Sequence, residues 1–232
     1  MENHGFLGFW SDIDAGYQLR YQEWHNCEHV PERVSIPGFV EGRRYRVAST
    51  GPLFFMCYVT RDPDVLSSPA YLAALNAPTP WTREALGHFQ NPERSLYRRL
   101  HEVGSAPAHA PYIVLVRFND ALPWADLAAA LEQWLDVAPV ASARASLYDM
   151  NTDASKIMTA ERRIYSAGPG ERQYLIGVEM LTRDEADAAT ESLRTELAAH
   201  ASDLDASIYW LETRIRAVDV RMTEHEVREE TL

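Results

Sequence analysis

The feature that most constrains this chain is one order of elements that occurs twice. GFLGFW (5–10) is a short apolar run suited to a buried strand. After Asp12 and Asp14, either of which can cap a helix, AGYQLRYQEWHNCEHV (15–30) sets Tyr17, Tyr21, Trp24 and Glu28 at helical spacing. Pro31 and then IPG (36–38) predict the end of that helix. VEGRRYRVA (40–48) alternates, LFFMCYVT (53–60) follows after GP, and the pair reads as an antiparallel hairpin. SPAYLAAL (68–75) and TPWTREALGHF (79–89) each carry a proline near the first helical position, and SLYRRLHEV (95–103) alternates as a last strand. The order is β-α-β-β-α-β.

Beyond GSAPAHAP the order returns: a strand in YIVLVRF (112–118), a helix in WADLAAALEQWL (124–135) and a strand in ASARASLYDM (141–150). Strand YLIGVEML (174–181), helix RDEADAATESLRTELAAH (183–200) and strand ASIYWLETRIRAV (206–218) complete it. The expected layout is a first unit over 1–104, a linker over 105–111, a second unit over 112–219 and a polar tail over 220–232. The second unit carries an insert, 151–173, longer than a hairpin needs; such loops commonly act as lids or interaction elements. Each unit is a split-βαβ, ferredoxin-like motif. Its helices cover one sheet face only, so two units in tandem can bury the other faces against each other. The expected fold is α+β: two tandem ferredoxin-like βαββαβ repeats packed sheet to sheet as a pseudo-dimeric α/β barrel. Further pairing of chains into a homodimer stays open.

The 22 Lys and Arg against 34 Asp and Glu give a formal charge of -12, which repels nucleic-acid phosphates and anionic lipid. Neither nucleic acid nor membrane is therefore expected as a partner. No apolar run approaches the roughly 18 to 20 residues that span a bilayer, and MENHGFLGFW lacks a basic region followed by an apolar one, so a cytoplasmic protein is expected. The two cysteines, Cys27 and Cys57, are too few for a disulfide scaffold or a four-cysteine zinc module and are read as reduced. The signatures G-x-G-x-x-G, G-x-x-x-x-G-K-[ST] and G-x-S-x-G are absent.

The segments WSD (10–12), WHNCEHVPER (24–33), IPGFVEGRRY (36–45), SSPAYL (67–72) and PTPWT (78–82) together resemble the EthD-like branch of the dimeric α/β-barrel superfamily, in particular its uncharacterised bacterial members. The resemblance covers about residues 5 to 103; the second half resembles the superfamily by element order alone. It implies the barrel fold and a small, partly aromatic pocket between sheet and helices, holding histidines or carboxylates, in the first half. The superfamily includes cofactor-free monooxygenases, polyketide cyclases and dehydratases, lactone isomerases, and haem-binding or haem-degrading proteins, and a fold does not choose among them.

WHNCEHVPER carries the candidate chemistry. His25, Glu28 and His29 share a helix face. HNCEH fits H-x-x-E-H, in which two histidines ligate a divalent metal and the glutamate is the base, with His88, His101 or Glu32 as conceivable third ligands. Acid-base chemistry needs fewer assumptions, because a histidine can take and return a proton near neutral pH, as enolisation, dehydration, retro-aldol cleavage and lactone isomerisation require. In that reading His29 is the base, Glu28 or Glu32 orients it, and His25 is a second acid. A purely structural helix end fits the same residues, with both imidazoles favoured by the helix dipole and Glu32 and Arg33 pairing with GRRYR.

Around the motif, Arg43 and Tyr45 share one strand face while Arg44 and Arg46 share the other. Trp24, Arg43, Tyr45, Tyr58, Tyr71, Trp81 and Tyr17 are the expected substrate-binding residues, and their aromatic character favours a flat, unsaturated small molecule. His88 and His101 are candidate haem ligands. The leading expectation is a cofactor-independent lyase or isomerase acting on an aromatic or polyketide-like substrate through His/Glu proton transfer. A haem- or small-ligand-binding protein, or a metal-assisted enzyme with His25 and His29 as ligands, are the alternatives.

Overall fold

The inward and outward faces of eight strands set where everything else lies. The computed structural model describes residues 4–104, 110–120, 122–137, 143–166 and 168–220. The first half runs β1 (Gly5–Ile13), a 3-10 turn, α1 (Gln18–Trp24), a π-helical turn (His25–His29), α2 (Val30–Ser35), β2 (Phe39–Val47), β3 (Phe54–Thr60), a second 3-10 turn, α3 (Pro69–Asn76), α4 (Pro80–Leu86) and β4 (Phe89–Gly104). The second runs β5 (Tyr112–Asp120), α5 (Trp124–Val137), β6 (Ala143–Met150), α6 (Thr152–Lys156), α7 (Ala160–Tyr165), β7 (Tyr174–Met180), α8 (Arg183–Leu197) and β8 (Ala201–Arg216). Residues 105–109 of the expected linker and 221–232 of the expected tail lie outside the described residues.

The strands close into a barrel in the order β1-β3-β2-β8-β5-β7-β6-β4, with every neighbouring pair antiparallel. Four consecutive positions, β4-β1-β3-β2, come from the first half and β8-β5-β7-β6 from the second. The seams are β2 with β8, where Arg43 faces Arg214, and β4 with β6, where Tyr97 faces Met150. The two sheets thus meet along both edges as well as across their inner faces, which leaves no edge strand open to association.

Period-two alternation sorts the apolar residues into three cores. Phe6, Trp10, Tyr45, Phe55, Tyr97 and Tyr209 fill the lumen. Leu7, Phe9, Phe54, Met56 and Leu96 point outward beneath the first-half helices, which contribute Tyr21, Trp24, Val30 and Leu86. Val114, Val116, Ile176 and Ile208 pack under α5 and α8 on the far side. Side-chain caps set several helix starts: Ser68, Thr79, Thr159 and Thr182 each accept a backbone N–H three residues on.

The first helix departs from the sequence expectation. It does not stop at Pro31 but continues to Ser35, through the π turn formed by HNCEH, where the Val30 N–H reaches back to the His25 carbonyl. A proline ring collides with the carbonyl four residues earlier, here Cys27; a wider turn at that point relieves the collision and lets the helix go on. The expected helix over 79–89 is also shorter, ending at Leu86, with Phe89 already in β4. Gly42 is where α2 comes closest to the sheet: a Cβ there would lie 2.7 Å from both Tyr58 Cε1 and Val30 Cγ1. Gly42→Ala is expected to destabilise by about 1–3 kcal/mol through overpacking. Urea denaturation checks this, and an unchanged midpoint would show that α2 is not seated as described.

Candidate functional site between sheet and helices of the first half

A cavity of about 40 Å³ lies between the outer face of the first-half sheet and its helices. That is room for one or two water molecules. Trp24 and His29 come from the α1–π–α2 helix, Arg33 from α2, Met56 and Tyr58 from β3, Tyr71 from α3, Arg94 from β4 and Glu161 and Tyr165 from α7. The insert of the second half crosses onto the first half, where its Ala154, Ile164 and Tyr165 pack against the first-half core.

Most polar groups around this cavity are satisfied. Arg33, 2 % exposed, is paired with Glu161 of α7 and lies 3.3 Å from Glu32. Arg94 donates to the Tyr71 hydroxyl at 3.1 Å. Two groups are not: His29 Nδ1 and the Tyr58 hydroxyl are buried without a hydrogen-bond partner. Such orphaned groups are costly and call for a partner, a water molecule or a bound ligand. His29 lies in the π turn with its ring against the indole of Trp24, centroid to centroid 4.3 Å.

Electrostatics favour neutral imidazoles. Burial, then the Arg33 guanidinium and His25, hold the His29 pKa well below 6.5; burial and then Arg44 do the same for His25. Burial pushes the Tyr58 pKa well above the usual phenol value, so its hydroxyl stays protonated. Burial also raises the Glu161 pKa, against the opposing pull of Arg33.

The structure brings together some of the expected site residues and separates others. His29, Trp24, Tyr58 and Tyr71 line the cavity. Glu28 is turned away: its Oε1 accepts from Thr79 Oγ1 at 2.6 Å and Thr82 Oγ1 at 3.1 Å, tying the π turn to the start of α4. Glu32 neighbours Arg33 and lies outside the cavity lining. His25 belongs to a separate network, with Arg44 Nη1 3.2 Å from its Nδ1, while Arg44 and Arg46 hold Glu212 of β8. Its Nε2 is a further buried atom without a partner. Arg43 and Tyr45 face the barrel lumen, on the opposite side of the sheet from His29. Tyr17 is near the surface, stacked on His88 at 3.8 Å and bonded to Glu84, and Trp81 packs under Arg20. Arg33, Arg94 and Glu161 were not expected at the site; the sequence signal for Glu161 and Tyr165 was the unexplained length of the insert.

The donor set does not fit a divalent metal. Among the described residues no three His, Cys, Asp or Glu side chains come together in a way that could hold one. The two histidines, moreover, each sit beside an arginine. The candidate haem ligands are engaged elsewhere: His88 lies 2.8 Å from Asp14 and His101 2.8 Å from Glu132. No helix among the described residues is long and apolar enough to cross a membrane.

No protein-family model matches the sequence, and no curated protein matches it. Solved structures do match its shape. An anthrone oxidase-like protein aligns with a TM-score of 0.64 at 10% identity, over 94% of each chain. A candidate monooxygenase from Lactobacillus acidophilus NCFM aligns at 0.55 and 11% identity, over 93% of this chain and 97% of its own. Chlorite dismutase from Candidatus Nitrospira defluvii, in complex with imidazole, aligns at 0.57 and 10% identity, over 94% and 93%. At such identities the likeness shows the fold, an α+β protein built on a closed antiparallel barrel, and nothing finer.

Proposed function

We propose that this protein is an enzyme that removes a proton from a small aromatic, enolisable or phenolic substrate in the first-half cavity. The observation that carries this reading is that two unpartnered buried groups line this cavity together with Arg33 and Arg94: His29 Nδ1 from the helix side and the Tyr58 hydroxyl from the sheet, with ring centroids 6.3 Å apart. His29 is neutral and so ready to accept a proton. Tyr58 keeps its own proton and can donate to the substrate oxygen on which negative charge develops. The two guanidiniums stabilise that charge. Arg33 weakens His29 as a base in the resting site, but a substrate anion beside the new imidazolium compensates. Trp24, Phe9, Phe89 and Tyr165 supply an aromatic enclosure for a flat ring. Entry requires α7 to move, since Glu161 and Tyr165 close the cavity.

Return of the proton to another carbon gives an isomerase, and expulsion of a leaving group gives a lyase; this is the cofactor-independent outcome expected from the sequence. The anthrone oxidase-like and monooxygenase-like neighbours support a second outcome, in which the anion reacts with O₂. A CH₂ group then becomes a carbonyl, and O₂ supplies one oxygen to that carbonyl and the other to water. We read the two halves as repeats of one unit, the second having become the permanent partner of the first, and the EthD-like affinity of residues 5–103 belongs to the same proposal.

Anthrone serves as the probe. In deuterated buffer under nitrogen, the wild type is expected to speed exchange at its methylene carbon and His29→Ala to lose that effect. Under air, oxygen uptake distinguishes oxidation from simple proton transfer. Binding of anthrone without any exchange would replace the enzyme by a ligand-binding protein.

A further inference from the structure

A second, larger cavity of about 520 Å³ occupies one end of the barrel lumen, on the other side of the sheet from His29. Its wall is formed where β1, β2, β5 and β6 begin and β3, β4, β7 and β8 end. Five arginines line it, Arg43, Arg99, Arg144, Arg214 and Arg216, against three glutamates, Glu41, Glu102 and Glu179. This is a positive excess inside a chain whose formal charge is -12.

The charges form a built network. Glu41 joins Arg43 to Arg214, with Nε contacts of 2.6 and 2.7 Å, and Glu179 joins Arg43 to Arg144, whose Nε lies 2.7 Å away. Arg99 lies 2.5 Å from Glu102. Glu41 and Glu179 thus bridge Arg43, Arg144 and Arg214 at the centre, and Arg216 at the rim is paired with Asp219. Side-chain exposure rises from 5 % at Glu41 and 13 % at Arg43 to 35 % at Arg144, so the cavity opens towards solvent past Arg144. Below the charges the wall is apolar, with Ile113, Leu115, Leu211 and the stacked rings of Phe6 and Tyr148 at 4.6 Å. Gly177 on β7 leaves the wall open: a Cβ there would make only ordinary contacts, at 3.6 Å or more.

We infer that this end of the lumen binds a small organic anion, a carboxylate or phosphate ester, with its charged head among Arg43, Arg144 and Arg214 and an apolar body against Phe6, Ile113 and Leu115. Low-dielectric walls focus the field of the arginines on the interior, and the volume suits a ligand of one ring. Arginine forks match both anion types bidentately. The site is independent of the proton-transfer cavity, from which the sheet separates it.

Isothermal titration with benzoate and with phenyl phosphate, and with benzyl alcohol as the uncharged control, tests the inference. Saturable binding of at least one anion and none of the alcohol is expected, weakened about 10-fold or more by Arg144→Gln. Benzoate alone binding would name a carboxylate site, and phenyl phosphate alone a phosphate site. Gly177→Leu, which fills the cavity while leaving every charge in place, is expected to abolish binding, whereas His29→Ala leaves it unchanged. Binding that survives Gly177→Leu, or that is lost in His29→Ala, would overturn the inference, as would no binding of either anion to a folded wild type.

Discussion

Glu161→Ala is expected to cost about 3 kcal/mol of stability, because it leaves the guanidinium of Arg33 buried without its main partner. The figure lies at the lower end for such a loss because Glu32 remains 3.3 Å from Arg33. The pair spans the two halves: Arg33 lies on α2 of the first, Glu161 on α7 of the insert. Removing both charges has a different consequence. Arg33→Met/Glu161→Leu exchanges an ion pair, whose desolvation roughly cancels its attraction, for apolar contact, and is expected to be close to neutral or stabilising. Chemical denaturation of the two variants checks this. Equal destabilisation in both would mean that the two side chains act through packing, and no effect in either would mean that the insert is not held at this point.

The second large effect falls on the reaction. His29→Ala is expected to lower proton transfer by about 10²- to 10⁴-fold, the usual contribution of a positioned base. Tyr58→Phe removes one hydrogen bond to the developing anion and is expected to lower the rate by a smaller factor, about 10²-fold. His25→Ala, whose ring belongs to the Arg44 network, should act mainly on stability. Rates for the three variants on one substrate separate these roles. The pH dependence is distinctive: with the His29 pKa held below 6.5 by burial and Arg33, the rate should stay level from pH 8 down past 6.5.

The same burial ties the histidines to acid stability. Both have lower pKa values folded than unfolded, so the unfolded chain binds more protons below pH 6.5 and stability falls there as pH falls. Well below pH 6.5 the slope from each histidine approaches about 1.4 kcal/mol per pH unit, and it fades to nothing above that pH.

The barrel was legible because its signal is local: alternation in FVEGRRYRV, an apolar run in YIVLVRF and helical stretches between such strands follow one another along the chain. The site was legible only in part. WHNCEHVPER pointed to His29 and Trp24, but the carboxylate that lines the cavity is Glu161 and not one of those beside His29 in sequence. Glu28 is taken up by Thr79 and Thr82 of α4, which nothing in the spacing of the motif shows. Glu161 reaches Arg33 from 128 residues away, through an insert whose destination depends on barrel closure. Arg43 and Tyr45 were paired correctly on one strand face, but which face looks into the lumen is set by registers shifted between Phe39 and Glu41 and again between Arg44 and Tyr45. The continuation of the helix past Pro31 depends on the π turn, a hydrogen-bonding choice that propensity does not encode.

The central claim is that His29 waits as a neutral base in an enclosed, electropositive cavity. Nitrogen-15 spectra of histidine-labelled protein, followed from pH 8 to pH 5 and assigned with His25→Gln and His29→Gln variants, measure its protonation directly. The account predicts that His29 remains neutral at and below pH 6.5, with its Nδ1 free of a protein hydrogen bond. A His29 signal that titrates with a midpoint at 6.5 or above would contradict it, and would return WHNCEHVPER to the role of a charged helix end.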